Sequence, residues 1–330
     1  MKYAFIYRNK RVWPISVQCR VLRVSVAGYH EHFVRRRDRV QRRHLSDEAL
    51  LVHLRAVFAE NRGAYGWPRL WRELRARGIR VGKLRVQRMM QQHGIRARGK
   101  GRFRITTTDS RHGLPIAPNL LGRNFTAAAP NRVWVGDVTY IATEEGWLFL
   151  AVVMDLFSRR IVGWSLGERI TSQIVIDALR MAWFVRCPEP EAGLIFHSDR
   201  GSQYASYEFA KALHECGITP SMSRKGNCWD NACSETLFGS LKVERLHGQN
   251  FETRRQGEEE ALDWMHWYNQ KRLHSTLHYV SPMQFEKQAV FNPEASASGT
   301  HGKTETGCGK AGKQKALSDF PTATTTTKYI

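Results

Sequence analysis

Between residues 46 and 94 the apolar positions recur at helical spacing in three short blocks. Leu50, Leu51, Leu54, Val57 and Phe58 form the first, opened by Ser46 with Asp47 and Glu48 behind it and closed by Gly63, the pattern of a capped helix with acids in its first turn. Pro68 opens a second block that carries Leu70, Trp71 and Leu74 until Gly78. A third runs from about Lys83 to His93 with Val86, Met89 and Met90 as its stripe, and ends at Gly94. Three short helices with a tight, glycine-containing turn predict a helix-turn-helix unit. From residue 132 the pattern changes to short runs of β-type residues. Arg132–Ile141, Trp147–Met154 and Ile161–Leu166 are β-type runs joined by short turns, which predicts an antiparallel meander.

A helix over Ser172–Phe184, a strand over Leu194–His197, a helix over Tyr207–Cys216 and a strand near Ile218–Met222 follow, and then a helix that carries Glu235. This β-β-β-α-β-α-β order is that of the ribonuclease H-like fold. The expected class is therefore α/β, a mixed five-stranded sheet with helices, preceded by an all-α helix-turn-helix domain. The expected organisation is a basic N-terminal segment over 1–45, helical with an arginine-rich exit, and the helix-turn-helix domain over 46–98. A linker over 99–128, a core with a C-terminal helical extension over 129–288 and a disordered tail over 289–330 complete it; the tail is Gly, Ala, Ser, Thr and Lys with few apolar groups.

Charge changes the picture through its location. Residues 1–112 hold 28 Lys and Arg against 7 Asp and Glu, whereas residues 113–330 hold 23 of each sign. A charge gathered on one third of a chain is the footprint of a polyanion, nucleic acid first; a solubilising surface is the alternative. No apolar run approaches the roughly 20 residues of a spanning helix, so no membrane partner is expected. Six scattered cysteines, without Cys-x-x-Cys or a secretory signal, predict a reduced cytosolic protein, and Cys228 and Cys233 lack zinc-finger spacing.

On the third helix Lys83, Arg85, Gln87, Arg88, Gln91 and Gln92 are left for the outer face, types that suit phosphates and base edges, although a solvated face has the same composition. Beyond it Arg98, Lys100, Arg102 and Arg104 would lie along a DNA backbone or on a solvated tether.

Three acids stand in contexts that suggest a metal site. Asp137 lies in the strand run Trp134-Val135-Gly136-Asp137-Val138-Thr139-Tyr140, where Asp is depleted. Asp199 follows the fourth strand in His197-Ser198-Asp199-Arg200-Gly201, and thirty-five residues lie between it and Glu235. Three convergent carboxylates can hold two Mg²⁺ ions, with Mn²⁺ as a substitute, and cut or join a phosphodiester. Alone, Asp199 reads equally as a turn residue and Glu235 as an exposed helix acid; the joint spacing favours the site. Asp155 reads as a turn former, Glu144 and Glu145 as hairpin surface, Glu244 as lying on a different helix face from Glu235, and His197 as structural. Asn231, four residues before Glu235, and Lys242, seven after, fall on its helical face. Asn231 would position the carboxylate, and Lys242 would touch DNA or make a surface salt bridge. Arg224 and Lys225 sit in a basic, glycine-containing loop that would order on DNA.

The D-D-35-E spacing resembles that of transposases and retroviral-type integrases. The stretches Tyr65-Gly66-Trp67-Pro68-Arg69, Trp134 to Tyr140, His197 to Tyr204, Ser223 to Asn231, and Tyr268 to Leu277 followed by Ser281-Pro282 resemble the OrfB transposases of the bacterial IS-three insertion-sequence family, over roughly residues 1–288. The resemblance implies an integrase catalytic core with Asp137, Asp199 and Glu235 as its DDE triad, and Mg²⁺-dependent 3′-end cleavage and strand transfer. It implies double-stranded DNA as substrate, both terminal inverted repeats and target. It also implies the OrfA product as frameshift fusion or partner, a homo-oligomer on DNA, and a place in the bacterial cytosol at the nucleoid. The tail departs from the family pattern. A nuclease on the same fold and a DNA-binding regulator with an idle core are the rival readings.

Overall fold

The structure, a computed structural model, describes residues 1–37, 45–99, 113–189, 193–224 and 228–291. The expected tail from residue 292 on, and Lys100, Arg102, Arg104 and Lys225, lie outside the described residues. Three helices come first: α1 (Lys2–Asn9), α2 (Ile15–Val21) and α3 (Val26–Arg37). They are followed by α4 (Asp47–Glu60), α5 (Trp67–Ala76) and α6 (Lys83–Gln92). Ser46 caps α4 by accepting the Ala49 N–H, and Pro68 stands in the first turn of α5, as the sequence pattern requires. Gly78 ends α5 at φ +79°, a conformation that a side chain would strain.

The second half is built on five strands: β1 (Val133–Thr143), β2 (Gly146–Asp155), β3 (Ile161–Gly167), β4 (Ile195–Ser198) and β5 (Thr219–Met222), in the order β3-β2-β1-β4-β5. The β1–β2 and β2–β3 pairs are antiparallel, and β1–β4 and β4–β5 parallel. This is the mixed sheet expected from the element order. Helices α7 (Ser172–Arg186) and α8 (Tyr207–Glu215) connect β3 to β4 and β4 to β5; α9 (Ala232–Leu241), α10 (Arg254–Gln270) and α11 (Pro282–Phe291) follow. Alternation along β1 splits the core into two layers. Trp134 and Val138 face a cluster with Phe196, Leu179 and Phe209, whereas Val135 and Ile141 share a cluster with Leu237, Leu241 and Trp264.

Helix α7 lies so close to β3 that a Cβ on Gly163 would stand 2.2 Å from the Ala178 carbonyl oxygen and 2.8 Å from the Ala182 Cβ. Because the obstacle is backbone, Gly163→Ala should destabilise the chain by about 1–3 kcal/mol through overpacking, read as a lower urea midpoint.

The helix-turn-helix unit is docked on the C-terminal extension, so that two distant sequence motifs meet. The Tyr65 hydroxyl accepts the Leu273 N–H at 2.8 Å, Arg69 Nε donates to the Leu273 carbonyl at 2.9 Å, and the Tyr65 and Trp267 ring centroids are 5.8 Å apart. Under this contact Arg272 donates to both oxygens of Glu244, at 2.7 and 2.8 Å, and Trp264 Nε1 donates to the same carboxylate. Both ends of that pair are buried. Burial and the charges of Arg272, Arg159 and Arg69 hold the nearby His274 imidazole down at about 3, from an ordinary 6.5. The folded chain therefore keeps His274 neutral while the unfolded chain takes up a proton. That contribution to stability is present above pH 6.5 and is lost as pH falls toward the folded value. Between about pH 7.5 and about pH 5.5 the urea midpoint should fall, and less steeply in His274→Asn.

The linker stretch is tied to the core over its described C-terminal part. Leu120 N–H donates to Ser221 Oγ, Met222 N–H to the Pro118 carbonyl, and Leu121 is buried. Its polar composition hid this because the contacts are mostly backbone. Asp155, expected as a turn former, does accept the Phe157 N–H across the turn. It is also fully buried, accepts the Asn131 N–H and pairs with Arg186 at 3.0 Å. Arg186 in turn pairs with Glu286, so the acid joins β2, α7 and α11.

Candidate active site

The β1–β4 pairing sets Val135 opposite His197. Two residues on, along two parallel strands of equal rise, Asp137 comes level with Asp199 just past the end of β4. A 62-residue separation thus becomes a side-by-side position, and both carboxylates line one pocket with Thr139, Tyr140, Phe149 and Gln203. Asp137 has the parity of Val135 and Ile141, so it faces the layer in which α9 packs.

Helix α9 carries Glu235, which is exposed. Its charge nevertheless acts on Asp137: burial, Asp199 and Glu235 together push the Asp137 carboxyl well above its ordinary 3.8. Burial, with Asp137 and Asp199 beyond it, also raises the phenol of Tyr204, which is enclosed behind them. Lys242 stands against Asp137 as well. Burial pulls its ammonium pKa down against the attraction of Asp137, and its Nζ lies 4.3 Å from the Tyr140 ring centroid. Asp137 and Asp199 are therefore brought together, while Glu235 and Lys242 approach Asp137 from α9 and its continuation. Among the described residues no three His, Cys, Asp or Glu side chains are gathered closely enough to hold an ion.

The single helical face expected for Asn231, Glu235 and Lys242 is interrupted at both ends. Asn231 ends the 3₁₀ turn Cys228–Asn231, and Lys242 opens a π turn over Lys242–Leu246. Asn231 is buried with its Oδ1 unpaired. The π turn shifts the register after Leu241. Within it Glu244 points inward to Arg272, off the face of Glu235 as expected, while Lys242, at its start, keeps the Glu235 face and stands by Asp137. The steady advance assumed along an α-helix fails where the hydrogen bonding changes from i+4 to i+5.

His197 is structural. It is fully buried, with Nδ1 2.9 Å from Ser221 Oγ and Nε2 3.2 Å from the Asp230 carbonyl, and burial lowers its pKa. Asp230 was not legible as a hub. Its buried carboxylate accepts from Asn119, Arg123 and Arg224, joining the linker to the loop before α9. Gln203, in the turn after Asp199, lines the same pocket, a place that no sequence spacing indicates.

Of the expected DNA-facing side chains, Arg88 and Gln91 are exposed, and Gln87 is half-buried. Lys83 is exposed with its ammonium 4.9 Å from the Trp71 ring centroid. Arg85 is held by Asp47 and the Leu45 carbonyl, Arg98 donates to the Glu244 carbonyl, and Arg224 makes a two-pronged pair with Asp230. These three guanidinium groups have protein acceptors that sequence spacing does not reveal.

Comparison with known proteins adds an independent line. Residues 127–228 and 235–290 match families described as integrase core domains, and residues 45–103 match an HTH-like domain. The chain is 40% identical over 290 residues to the transposase InsF for insertion sequence IS3A of Escherichia coli strain K12, covering 87% of this chain and 99% of that protein. It is 42% identical over 273 residues to an uncharacterized 31 kDa protein of insertion element IS600 from Shigella sonnei, covering 82% and 97%. An HTLV-2 integrase catalytic core domain in complex with magnesium aligns at 21% identity and a TM-score of 0.37, over 48% of this chain and 97% of its own; likeness at that level carries no weight for this chain.

Proposed function

The chain belongs to the transposase family of the IS3-type insertion sequences, and from that premise we propose that Asp137, Asp199 and Glu235 are the reactive centre at which it cuts and rejoins DNA. The observation that carries this reading is the in-register pair Asp137 and Asp199, with Glu235 raising the Asp137 pKa from α9.

The donor set fits a hard divalent cation. All three groups are carboxylates, and burial, with repulsion from Asp199 and Glu235 after it, raises the Asp137 pKa, a penalty on the charged form that a cation relieves. Asp137 would hold it from within β1 and Asp199 from just past the end of β4, and Glu235 would close on it from α9. Mg²⁺, as two ions or replaced by Mn²⁺, supplies when bound a lowered pKa for the attacking hydroxyl and charge relief at the leaving oxygen. The chain's own part is to place the DNA. Lys242, beside Asp137, meets the negative charge of a phosphodiester entering the pocket, and the wall of Thr139, Tyr140 and Gln203 limits how it lies. In the first reaction a water oxygen attacks the scissile phosphorus and the 3′ oxygen leaves. In the second that 3′-hydroxyl gives up its proton and attacks a target phosphorus, the target strand's own 3′ oxygen leaves and takes up a proton, and no bond to the protein forms.

The helix-turn-helix unit, through Arg88, Gln91 and Lys83, selects terminal inverted repeats. The OrfA product, as frameshift fusion or partner, and a second copy of this chain complete the assembly on DNA. Among the described residues no helix is long and apolar enough to cross a membrane.

The test is incubation of the full chain with Mg²⁺ and a duplex bearing the element's own ends and flanks. Nicks at the 3′ ends and joined products are expected; binding without either product, in the presence of the OrfA product, would sink the reading.

A further inference from the structure

The matched domains begin at residue 45, yet the chain before them is folded. Helices α1, α2 and α3 enclose Ile6, Cys19 and Tyr29, with Ile15, Val24 and Phe33 packed around. The joint between α2 and α3 is a defined device. Arg23 takes the left-handed conformation at φ +52°, its N–H donates to the Arg20 carbonyl, and the Val24 N–H donates to the Cys19 carbonyl. These two bonds are the Schellman closure, and the aliphatic residue after it packs inward. Ser25 then starts α3, its Oγ accepting the Gly28 N–H at 2.9 Å.

The matched HTH-like domain uses the same device after α5. Gly78 is left-handed at φ +79°, its N–H donates to the Arg75 carbonyl, and the Ile79 N–H donates to the Leu74 carbonyl. The chain therefore contains two three-helix units in tandem whose second and third helices are joined by one kind of turn.

We propose that residues 1–37 are a second DNA-binding helix-turn-helix, with α3 as the helix that enters a groove of duplex DNA. Charge selects the ligand. Residues 1–37 hold nine Lys and Arg and a single carboxylate, Glu31. Arg20 on α2, Arg23 in the turn, and Lys10 and Arg11 after α1 are exposed, which suits phosphate contact on either side of an inserted helix. The outer face of α3 presents Ala27, His30, Glu31 and Val34 at helical spacing, all exposed. Methyl groups meet thymine methyls, and imidazole donates to base-edge acceptors. Two such units on one chain read a longer, bipartite end than one can.

The test is hydroxyl-radical footprinting and affinity measurement with the full chain in EDTA, on a duplex bearing the element's own end, so that failure of the cleavage centre has no bearing on the outcome. Arg23→Gly is the sharpest variant, because glycine suits a positive φ and the unit should fold at least as well. It should lower affinity, and the slope of log affinity against log salt should become shallower by about one. Ala27→Glu, at an exposed position, should erase one tract of protection while the tract owed to α4–α6 remains. Val12→Thr, a neutral change of equal size at an exposed site between α1 and α2, should change neither. Unchanged affinity and footprint in both Arg23→Gly and Ala27→Glu would overturn the proposal. So would Ala27→Glu abolishing self-association in sedimentation while leaving the footprint whole, since α3 would then be a protein-docking face.

Discussion

Asp137→Asn should give a chain that binds element-end DNA as before, neither nicks nor joins it, and unfolds at a higher urea concentration than its parent when no metal ion is present. The loss of activity should be on the order of a thousandfold or more, the scale seen when one member of a reactive group that acts as a unit is removed. The gain in stability follows from the sign of the pKa shift. Burial, Asp199 and Glu235 raise the folded-state value above 3.8, so the folded chain holds a proton that the unfolded chain has released. Stability is fully present below pH 3.8 and is lost as pH rises through the folded value. An amide at position 137 removes that loss, and a divalent cation should stabilise the parent chain but not the variant. A variant that is silent and also less stable would point to a structural role for Asp137.

The second large effect is expected at the buried pair beneath the docked helix-turn-helix. Arg272→Ala leaves the Glu244 carboxylate buried at 5% exposure with Trp264 Nε1 and a more distant Arg69, 3.6 Å away. Breaking one side of such a pair costs about 3–5 kcal/mol, read as a fall in the urea midpoint at constant slope. Replacing both sides, Arg272→Leu with Glu244→Met, should recover much of the loss, because an apolar pair of similar volume leaves no stranded charge. The single variant should also loosen the Tyr65 and Arg69 contacts to Leu273, and with them the seating of the DNA-binding unit against the C-terminal extension. Accelerated hydrogen exchange at the Leu273 N–H would report it.

Much of the architecture was readable because it is written locally. Ser46, Pro68 and Gly78 mark helix ends through the groups on their own backbones and side chains, and the observed α4, α5 and α6 fall where those signals place them. The strands Val133–Thr143 and Gly146–Asp155 follow from apolar, β-branched and aromatic runs bounded by a short turn. The element order was enough to name the fold. Less legible was every charged side chain whose partner lies far along the chain. Asp155, Asp230, Glu244, Arg85, Arg98 and Arg224 look alike in composition, and only packing separates a buried hub from a solvated face.

The sequence by itself determined the elements, the concentration of positive charge in residues 1–112, and the three acids at their spacing, since each rests on periodicity, charge or local context that survives without a fold. The tertiary structure decided which of those residues meet. Parallel pairing of β1 with β4 set Asp137 level with Asp199, and the packing of α9 and the π turn after it brought Lys242 to Asp137 and Glu244 to Arg272. The reason is range: caps and periodicity act over one or two turns of chain, whereas burial and ion pairing depend on neighbours tens to two hundred residues away, which exist only once the sheet has formed.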